Sequence, residues 1–534
     1  MLKRKHSPMF KEIKLVLAFL ALAAPLSAAT IVVESGTTRT TPIILSGAGD
    51  GAIVEVNAGL KVDGAIALQM NNDDQTALNS GTIGTTGDNA TAIEASGERA
   101  QISSEGLIET LGAESAGMVI FGAEGAVRNG GIIRTSGTAS DGIIVSSERV
   151  SIENSGDILV RGLNARGIVL EGDDAFVLNS GTIQAQQGAA LDFSGVDPTL
   201  SLMMGSNLQG TVETVDPLAL VVQRGLNLGL TLESRSFGTL SIDAPFVQVG
   251  NTIAVIDPTG FALQADVVAD LSDTLLGSIY RHRYLCCSPC GCNVWVQGLG
   301  SYRERDDDIW YKNAQGGFLA GFETPFCGGY ASLFGGASFA CAHVHEGTQK
   351  ADIDTYVGGV AYETRFCDTF LGFAVVAGYV DWENTRLVMN NLAPDGVQKA
   401  RADIDGAFIS PEATFAYRLP FFWRRPIISL TLRYAGLFLG HYQEEGSSMN
   451  LTVKNRHIDL ITTRLECALP LSFPCCYACW DFEPYIGTFG RYQVGGRDVD
   501  AVLLGEALSF NQTGSRNLAA FLFGIRAIQK VGQF

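Results

Sequence analysis

A chain of 534 residues is long for one core, so it is expected to fold as two or more units. Its 62 glycines, 46% hydrophobic residues and 17% charged residues exclude a disordered protein and a coiled coil, and point to many short strands joined by tight turns. A formal net charge of −19 argues against nucleic acid as a partner, because a polyanion must be met by lysine and arginine that release its counterions.

At the N-terminus Lys3, Arg4, Lys5, Lys11 and Lys14 precede an apolar run from Leu15 to Leu26, and the small residues Ser27-Ala28-Ala29 follow. Pro25 interrupts the run, which falls short of the ~20 residues that span a bilayer. Residues 1–29 therefore read as a signal peptide for the Sec translocon, cleaved after Ala28 or Ala29. No later segment offers about 18 uninterrupted apolar residues, so membrane integration of the mature chain requires strands that close into a barrel.

From residue 78 to 195 the chain repeats itself. Leu78-Asn79-Ser80-Gly81-Thr82-Ile83 is echoed by Ile152-Glu153-Asn154-Ser155-Gly156-Asp157-Ile158 and by Leu178-Asn179-Ser180-Gly181-Thr182-Ile183, and Gly81, Gly106, Gly131, Gly156 and Gly181 recur at an interval of 25 residues. A second strand follows at the same period in Ala92-Ile93, Gly117-Met118, Gly142-Ile143 and Gly167-Ile168. Short strands punctuated by Asn-Ser-Gly turns that tolerate positive φ predict a right-handed parallel β-helix, in which each coil buries its apolar face on its neighbours. Ile83, Ile108, Ile133, Ile158 and Ile183 are expected to stack inward, with Asn79, Asn129, Asn154 and Asn179 as a ladder at the turn. Leu200 to Val212 and Phe237 to Val255 are expected to be irregular rungs closing the end.

Between Phe261 and Tyr280, Leu263, Val267, Leu271, Leu275 and Ile279 fall four apart with Asp266, Asp270 and Asp273 between them, which predicts an amphipathic helix. Its place between two β-regions fits a linker helix threading a barrel and equally a helix packed on a domain surface. Beyond Cys292 the period becomes two. Ala407, Ile409, Ala413, Phe415, Tyr417 and Leu419 alternate with Ser410, Glu412, Thr414 and Arg418, and Ile428, Leu430, Leu432, Tyr434, Phe438 and Tyr442 alternate with Ser429, Thr431, Arg433, His441 and Gln443. Runs of about ten such residues suit transmembrane barrel strands with outer-membrane lipid outside. Long polar loops are expected at 304–315, 346–350, 383–399 and 443–456, and tight links at 326–329, 366–368 and 420–425. Phe421, Phe422 and Trp423 at one tight turn, with Tyr477 and Trp480 at another, suit an interfacial aromatic girdle. Inward Glu412, Arg433, Arg464 and Glu466 are candidates for a charged lumen.

These residues lead to a resemblance. Val294-Trp295-Val296-Gln297-Gly298-Leu299-Gly300-Ser301-Tyr302, the preceding Asp257-Pro258-Thr259-Gly260-Phe261-Ala262, Glu483-Pro484-Tyr485 and a chain ending in Phe534 together resemble the autotransporter family over residues 240–534. The resemblance implies type V secretion and a barrel of about twelve strands inserted by the barrel-assembly machinery, with Phe534 as its signal. It also implies a passenger exported to the cell surface. Alternation alone counts out about ten or eleven strands from Val294 to Val531. The resulting reading is an all-β chain: signal peptide 1–29, β-helical passenger 30–255, junction and linker helix 256–283, and antiparallel transmembrane β-barrel 284–534.

All eleven cysteines lie at or beyond Cys286. On the barrel reading Cys286, Cys287, Cys290, Cys292, Cys327, Cys367, Cys475, Cys476 and Cys479 gather on one periplasmic rim, while Cys341 and Cys467 fall within strands. Export favours disulfides over zinc despite the C-x-x-C spacings, within the barrel or to periplasmic cysteine-rich envelope proteins. No nucleophile motif is present, and no histidine falls between the signal peptide and His282, which excludes a Ser-His-Asp passenger enzyme. His343 and His345 are read as sharing a strand face, two ligands without a third, so no metal or cofactor is expected. The favoured function is a non-enzymatic outer-membrane autotransporter with an adhesive or structural passenger that meets a host or surface receptor. The alternatives are a disulfide-cross-linked envelope protein and a surface glycan hydrolase using Asp173 and Asp174.

Overall fold

The computed structural model describes residues 28–233, 236–277, 279, 293–306, 310–420, 425–474 and 479–530. The chain divides into two compact units, Met1–Asp243 with Gln248–Ile253 and Met389–Val397, and Ala244–Val247 with Ala254–Val388 and Gln398–Phe534.

The first unit is a parallel β-solenoid. Its strands Thr76–Asn79, Gln101–Ser104, Ala126–Asn129, Ser151–Asn154 and Phe176–Asn179 pair in register, each coil on the next, within a ten-stranded parallel sheet. A second sheet carries the remaining strands of each coil, with Ile83, Ile108, Ile133, Ile158 and Ile183 paired one above another and fully buried. The solenoid starts before the recognised repeat, because Thr30–Val33 already pairs with Gly51–Val54, which pairs with Thr76–Asn79. Beyond the repeat, Thr199–Leu202, Leu218–Val222 and Phe237–Ile242 continue the same sheet.

The asparagines lie inside the coil. Asn79 donates to Ser104 Oγ at 3.0 Å, Asn129 to Asn154 Oδ1 at 2.8 Å and Asn154 to Asn179 Oδ1 at 2.8 Å, with all five side chains buried. Such a row satisfies amide groups that would otherwise be costly to bury. The glycines beside them do not serve positive φ, contrary to the expectation from Asn-Ser-Gly. They serve close approach: a Cβ on Gly131 would collide with the carbonyl oxygen of Gly106, and one on Gly156 with that of Gly131. Positive φ falls at another corner, on Asp74, Arg99, Glu124, Arg149 and Asp174. There the charges alternate from coil to coil, with Arg99 Nε on Asp74 at 2.8 Å and Arg149 Nη2 on Glu124 at 3.2 Å. Asp173, one of the two acids considered for hydrolysis, accepts the backbone N–H of Val196 at 2.9 Å and so links coils.

The second unit is an antiparallel sheet curved around a helix, α1 (Thr259–Leu276). Its wall strands are β1 (Asn293–Asp306), β2 (Trp310–Phe326), β3 (Gly329–Val344), β4 (Gln349–Phe366), β5 (Thr369–Asn390), β6 (Val397–Arg418), β7 (Ile427–Leu439), β8 (Arg456–Ala468, resumed at Leu471–Pro474), β9 (Cys479–Gly495) and β10 (Asn517–Lys530). Neighbours in this order are hydrogen-bonded. The described wall thus has ten strands, the lower figure of the count by alternation and fewer than the resemblance implies. Ile409, Phe415, Leu430 and Leu432 face outward and are exposed, whereas Ser410, Glu412, Thr414, Ser429, Thr431 and Arg433 are buried inside. Apolar outside and polar inside is the inversion a membrane barrel requires.

Two expected long loops are shorter in the structure. β1 runs to Asp306 and β2 begins at Trp310, with Glu304 opposite Lys312, and β5 extends to Asn390 with β6 resuming at Val397. Charged residues there continue the in-and-out alternation instead of marking a loop. Residues 443–456 contribute to a separate four-stranded sheet, Tyr442–Gln443, Leu451–Val453, Asp498–Leu503 and Glu506–Asn511. The expected link at 326–329 is a tight hairpin with positive φ at Cys327 and Gly328, and the link at 366–368 is a second with positive φ at Cys367.

Candidate functional site

The helix α1 carries no lysine or arginine and three aspartates, at 266, 270 and 273, which its 3.6-residue period brings close to one face. It is buried on every side: Leu263, Val267, Leu271 and Leu275 pack among wall residues such as Leu319, Phe334, Val344, Ala351 and Ile353. A helix apolar or paired all round belongs in an interior, which decides between the two placements left open by its sequence. Helical geometry ends at Leu276 under the Gly277 cap, so Ile279 lies beyond the helix, although still buried.

Each aspartate meets cations from the wall. Asp266 takes Arg305 Nη1 at 2.9 Å from β1 and Arg491 from β9. Asp270 pairs with Arg303 and accepts Asn313 Nδ2 at 3.1 Å. Asp273 pairs with Arg433 of β7, whose Nε also reaches Glu412 Oε2 of β6 at 2.7 Å. Arg456 donates to the Phe261 carbonyl at 3.4 Å and to Gln264, lies over the Phe261 ring at 5.3 Å, and reaches Gln512 Oε1 at 3.0 Å. Buried charges of this kind are tolerated because they are paired and hydrogen-bonded. Removing one partner from such a pair costs about 3–5 kcal/mol.

The entry to the helix is fixed separately. Asp257 is fully buried; its Oδ1 accepts the Thr259 N–H at 3.1 Å and hydroxyl at 2.6 Å, and its Oδ2 accepts Gln349 Nε2 at 3.0 Å. His345 Nε2 stands 3.6 Å from Asp257, and its ring stacks on Trp310 with centroids 6.3 Å apart. His343 and His345 therefore do not share a strand face. β3 stops at Val344, and His345 opens a turn at φ 42°, while His343 stays on the exposed face beside Cys341, whose Sγ is 3.9 Å from its Nδ1.

Of the lumen residues read from alternation, Glu412 and Arg433 join the helix cluster, and Arg464 pairs with Glu466 on the same inner face of β8. Arg303, Arg305, Arg456 and Arg491 were not singled out by sequence. For Arg303 and Arg305 the signal is their i, i+2 spacing, which straddles the start of what reads as a loop at 304–315.

Cys327, Cys367 and Cys467 are exposed free thiols, and Cys341 is a half-buried one. Cys286, Cys287, Cys290, Cys292, Cys475, Cys476 and Phe534 lie outside the described residues, as do the side chain of Cys479, most of the signal segment, and the turn aromatics Phe421, Phe422, Trp423 and Tyr477. Ala28 and Ala29 are described, and the Ala29 N–H donates to Asp50 Oδ1 at 2.8 Å. Among the described residues no group of three or more histidine, cysteine, aspartate or glutamate side chains is placed to hold a metal ion.

Comparison with known proteins bears on this arrangement. Residues 294–528 match the family model of the autotransporter beta-domain. Similar solved structures include the translocator domain of the autotransporter NalP from Neisseria meningitidis, at 12% identity over 50% of this chain and 95% of that one, with a TM-score of 0.34. The beta domain of the Bordetella autotransporter Brka is another, at 15% identity over 45% of this chain and 100% of that one, with a TM-score of 0.32. No curated protein matches the chain. The chain thus carries an autotransporter beta-domain at residues 294–528, preceded by a β-solenoid passenger region, and is an outer-membrane protein with an exposed passenger.

Proposed function

We propose that the barrel both anchors the chain and exports its own N-terminal segment, and that the exported solenoid acts at the cell surface as an adhesive or structural rod. The observation that carries this reading is α1, buried on every side and tied to wall arginines through three aspartates. A polypeptide segment held in a lumen is the arrangement expected once chain has been drawn through it. The rod reading is supported by the continuous isoleucine stack and asparagine row, which leave each coil dependent on its neighbours.

On this proposal residues 1–29 direct entry through the Sec translocon, 30–255 form the passenger, 256–283 the junction and linker, and 284–534 the barrel. The barrel-assembly machinery would read Phe534. The test is protease shaving of intact cells carrying an epitope at Ser136-Gly137-Thr138. Loss of the epitope with survival of a barrel fragment is expected; full-length protein that resists until the outer membrane is permeabilised would overturn export.

A second reading is favoured by Cys327 and Cys367, exposed at two hairpin tips on one end of the wall. There the cysteine rim joins the barrel through disulfides to cysteine-rich envelope proteins. Non-reducing gels of whole envelopes should then show a ladder that collapses with reductant, and a single monomeric band would remove this reading.

A further inference from the structure

We propose that Asn391 closes the last coils of the solenoid and so guards the passenger against being cut free there. It lies in Met389–Val397, a segment the chain reaches only between β5 and β6, yet one that belongs to the same compact unit as those coils. In three earlier coils residues 111–117, 136–142 and 161–167 make the turn between two strands. That turn then shrinks. Residues 185–188 lie between Gln184 and Ala189, but Gly210 alone lies between their partners Gln209 and Thr211. The parallel ladder therefore skips Gly210, and its peptide groups need partners from elsewhere.

Asn391 supplies them. Its backbone carbonyl accepts the Gly210 N–H at 3.0 Å, and its Nδ2 donates to the Gly210 carbonyl at 3.3 Å. The same carboxamide meets Thr231 as a neighbouring strand would: Oδ1 accepts the Thr231 N–H at 2.9 Å, and Nδ2 donates to the Thr231 carbonyl at 3.0 Å. One fully buried side chain thus joins two rungs, Asn207–Thr214 and Leu228–Thr231. The place demands a donor and an acceptor on one group; an aspartate would set a carboxylate against two carbonyl oxygens. The segment around it is seated in the same way. Met389 and Asn390 run parallel to Leu228 and Gly229, the Met389 N–H donates to the Asn227 carbonyl at 2.9 Å, and Asn207 Nδ2 donates to the Asp395 carbonyl at 3.4 Å. Arg224, half-exposed just before the second rung, is where a trypsin-like protease would enter if these coils opened.

Protection at the cell surface rests on the export proposed above, whereas closure of the coils does not. The test therefore measures trypsin cleavage at Arg224 twice, on intact cells and on full-length protein extracted in detergent, with heat-modifiable migration as the check that the barrel is folded. Asn391→Ala should raise the rate at Arg224 by about tenfold or more, because buried peptide groups lose their partners. Asn391→Asp should raise it further. Arg149, in a coil remote from the segment, and the exposed-site variant Leu392→Ala should show no change. On cells, the Asn391 variants should shed the fragment carrying the Ser136-Gly137-Thr138 epitope into the medium. Should they fail to fold, Thr231→Pro deletes the matching N–H from the solenoid side and should give the same rise. An unchanged rate at Arg224 in the folded variants, or a rise equal at Arg149, would overturn the proposal. An epitope hidden on intact parent cells would instead overturn export, and the rates in detergent would still decide whether Asn391 closes the coils.

Discussion

Ser104 occupies in its coil the place that Asn129 occupies in the next, and Asn129 Oδ1 is left without a hydrogen bond. By contrast, Asn154 Oδ1 and Asn179 Oδ1 each accept from the asparagine one coil before, and Asn79 Oδ1 accepts the Gly81 N–H at 3.2 Å. Ser104→Asn should supply that missing donor and stabilise the solenoid by about 1 kcal/mol, raising its unfolding midpoint. A lowered midpoint would mean that the coil has no room for the longer side chain.

The glycine column makes the opposite prediction. A methyl group at Gly156 meets the carbonyl of Gly131, so Gly156→Ala should force the coils apart and cost about 1–3 kcal/mol. Ser155→Ala next to it, at an exposed position, should stay within about 0.5 kcal/mol. Equal effects at the two positions in urea titration would show that close stacking does not dictate the glycine.

Arg433 holds two carboxylates at once, Glu412 of the wall and Asp273 of the helix. Arg433→Met leaves Glu412 without its cation and Asp273 with only Arg303, at 3.9 Å, and should destabilise the helix-filled barrel by about 3–5 kcal/mol. The readout is the temperature at which heat-modifiable migration is lost. Adding Glu412→Gln should recover part of the loss, and a single variant indistinguishable from the parent would show that the cluster does not hold α1.

Asp50 links the start of the solenoid to pH. Its carboxylate accepts the N–H of Ala29 at 2.8 Å and of Gly47 at 2.7 Å, and these donors hold its pKa below the ordinary 3.8. A depressed carboxylate stabilises fully above its unfolded value, and that contribution is lost as pH falls through the lower, folded one. Protection of the Thr30–Val33 amides against hydrogen exchange, taken relative to the intrinsic exchange of the unfolded chain at each pH, should therefore fall below about pH 4, and this fall should be absent in Asp50→Asn. Processing after Ala28 would turn the Ala29 N–H into an ammonium facing this carboxylate. Mass spectrometry of the mature N-terminus is expected to find Ala29 first, and a chain starting at Thr30 would contradict it.

Much of the solenoid was legible because stacking imposes one residue type at one place in every coil. The carbonyl of Gly106 forbids a side chain at Gly131, and the buried row demands amides at Asn129, Asn154 and Asn179. The coils from Thr30 to Met70 fall within the expected passenger span of 30–255 but show no repeat in the sequence, because they lack the Asn-Ser-Gly corner, although their strands pair in the same way. In the wall, alternation identified Glu412 and Arg433 but not Arg303 or Arg305. Charge outside, at Glu304 and Asp306, made the end of β1 look like a loop. Which arginine meets which aspartate depends on how the strands are staggered around α1, and a single strand's sequence carries no record of that.

The acid and base alternation at Asp74, Arg99, Glu124, Arg149 and Asp174 acts as a checksum on assembly. A coil that docks one place out of turn sets acid against acid or base against base, whereas the order written in the chain alternates the signs along the corner. Each contact is exposed and individually weak. Their worth lies in rejecting a stack shifted by one coil, which the near-identical isoleucine column inside could not distinguish from the correct one.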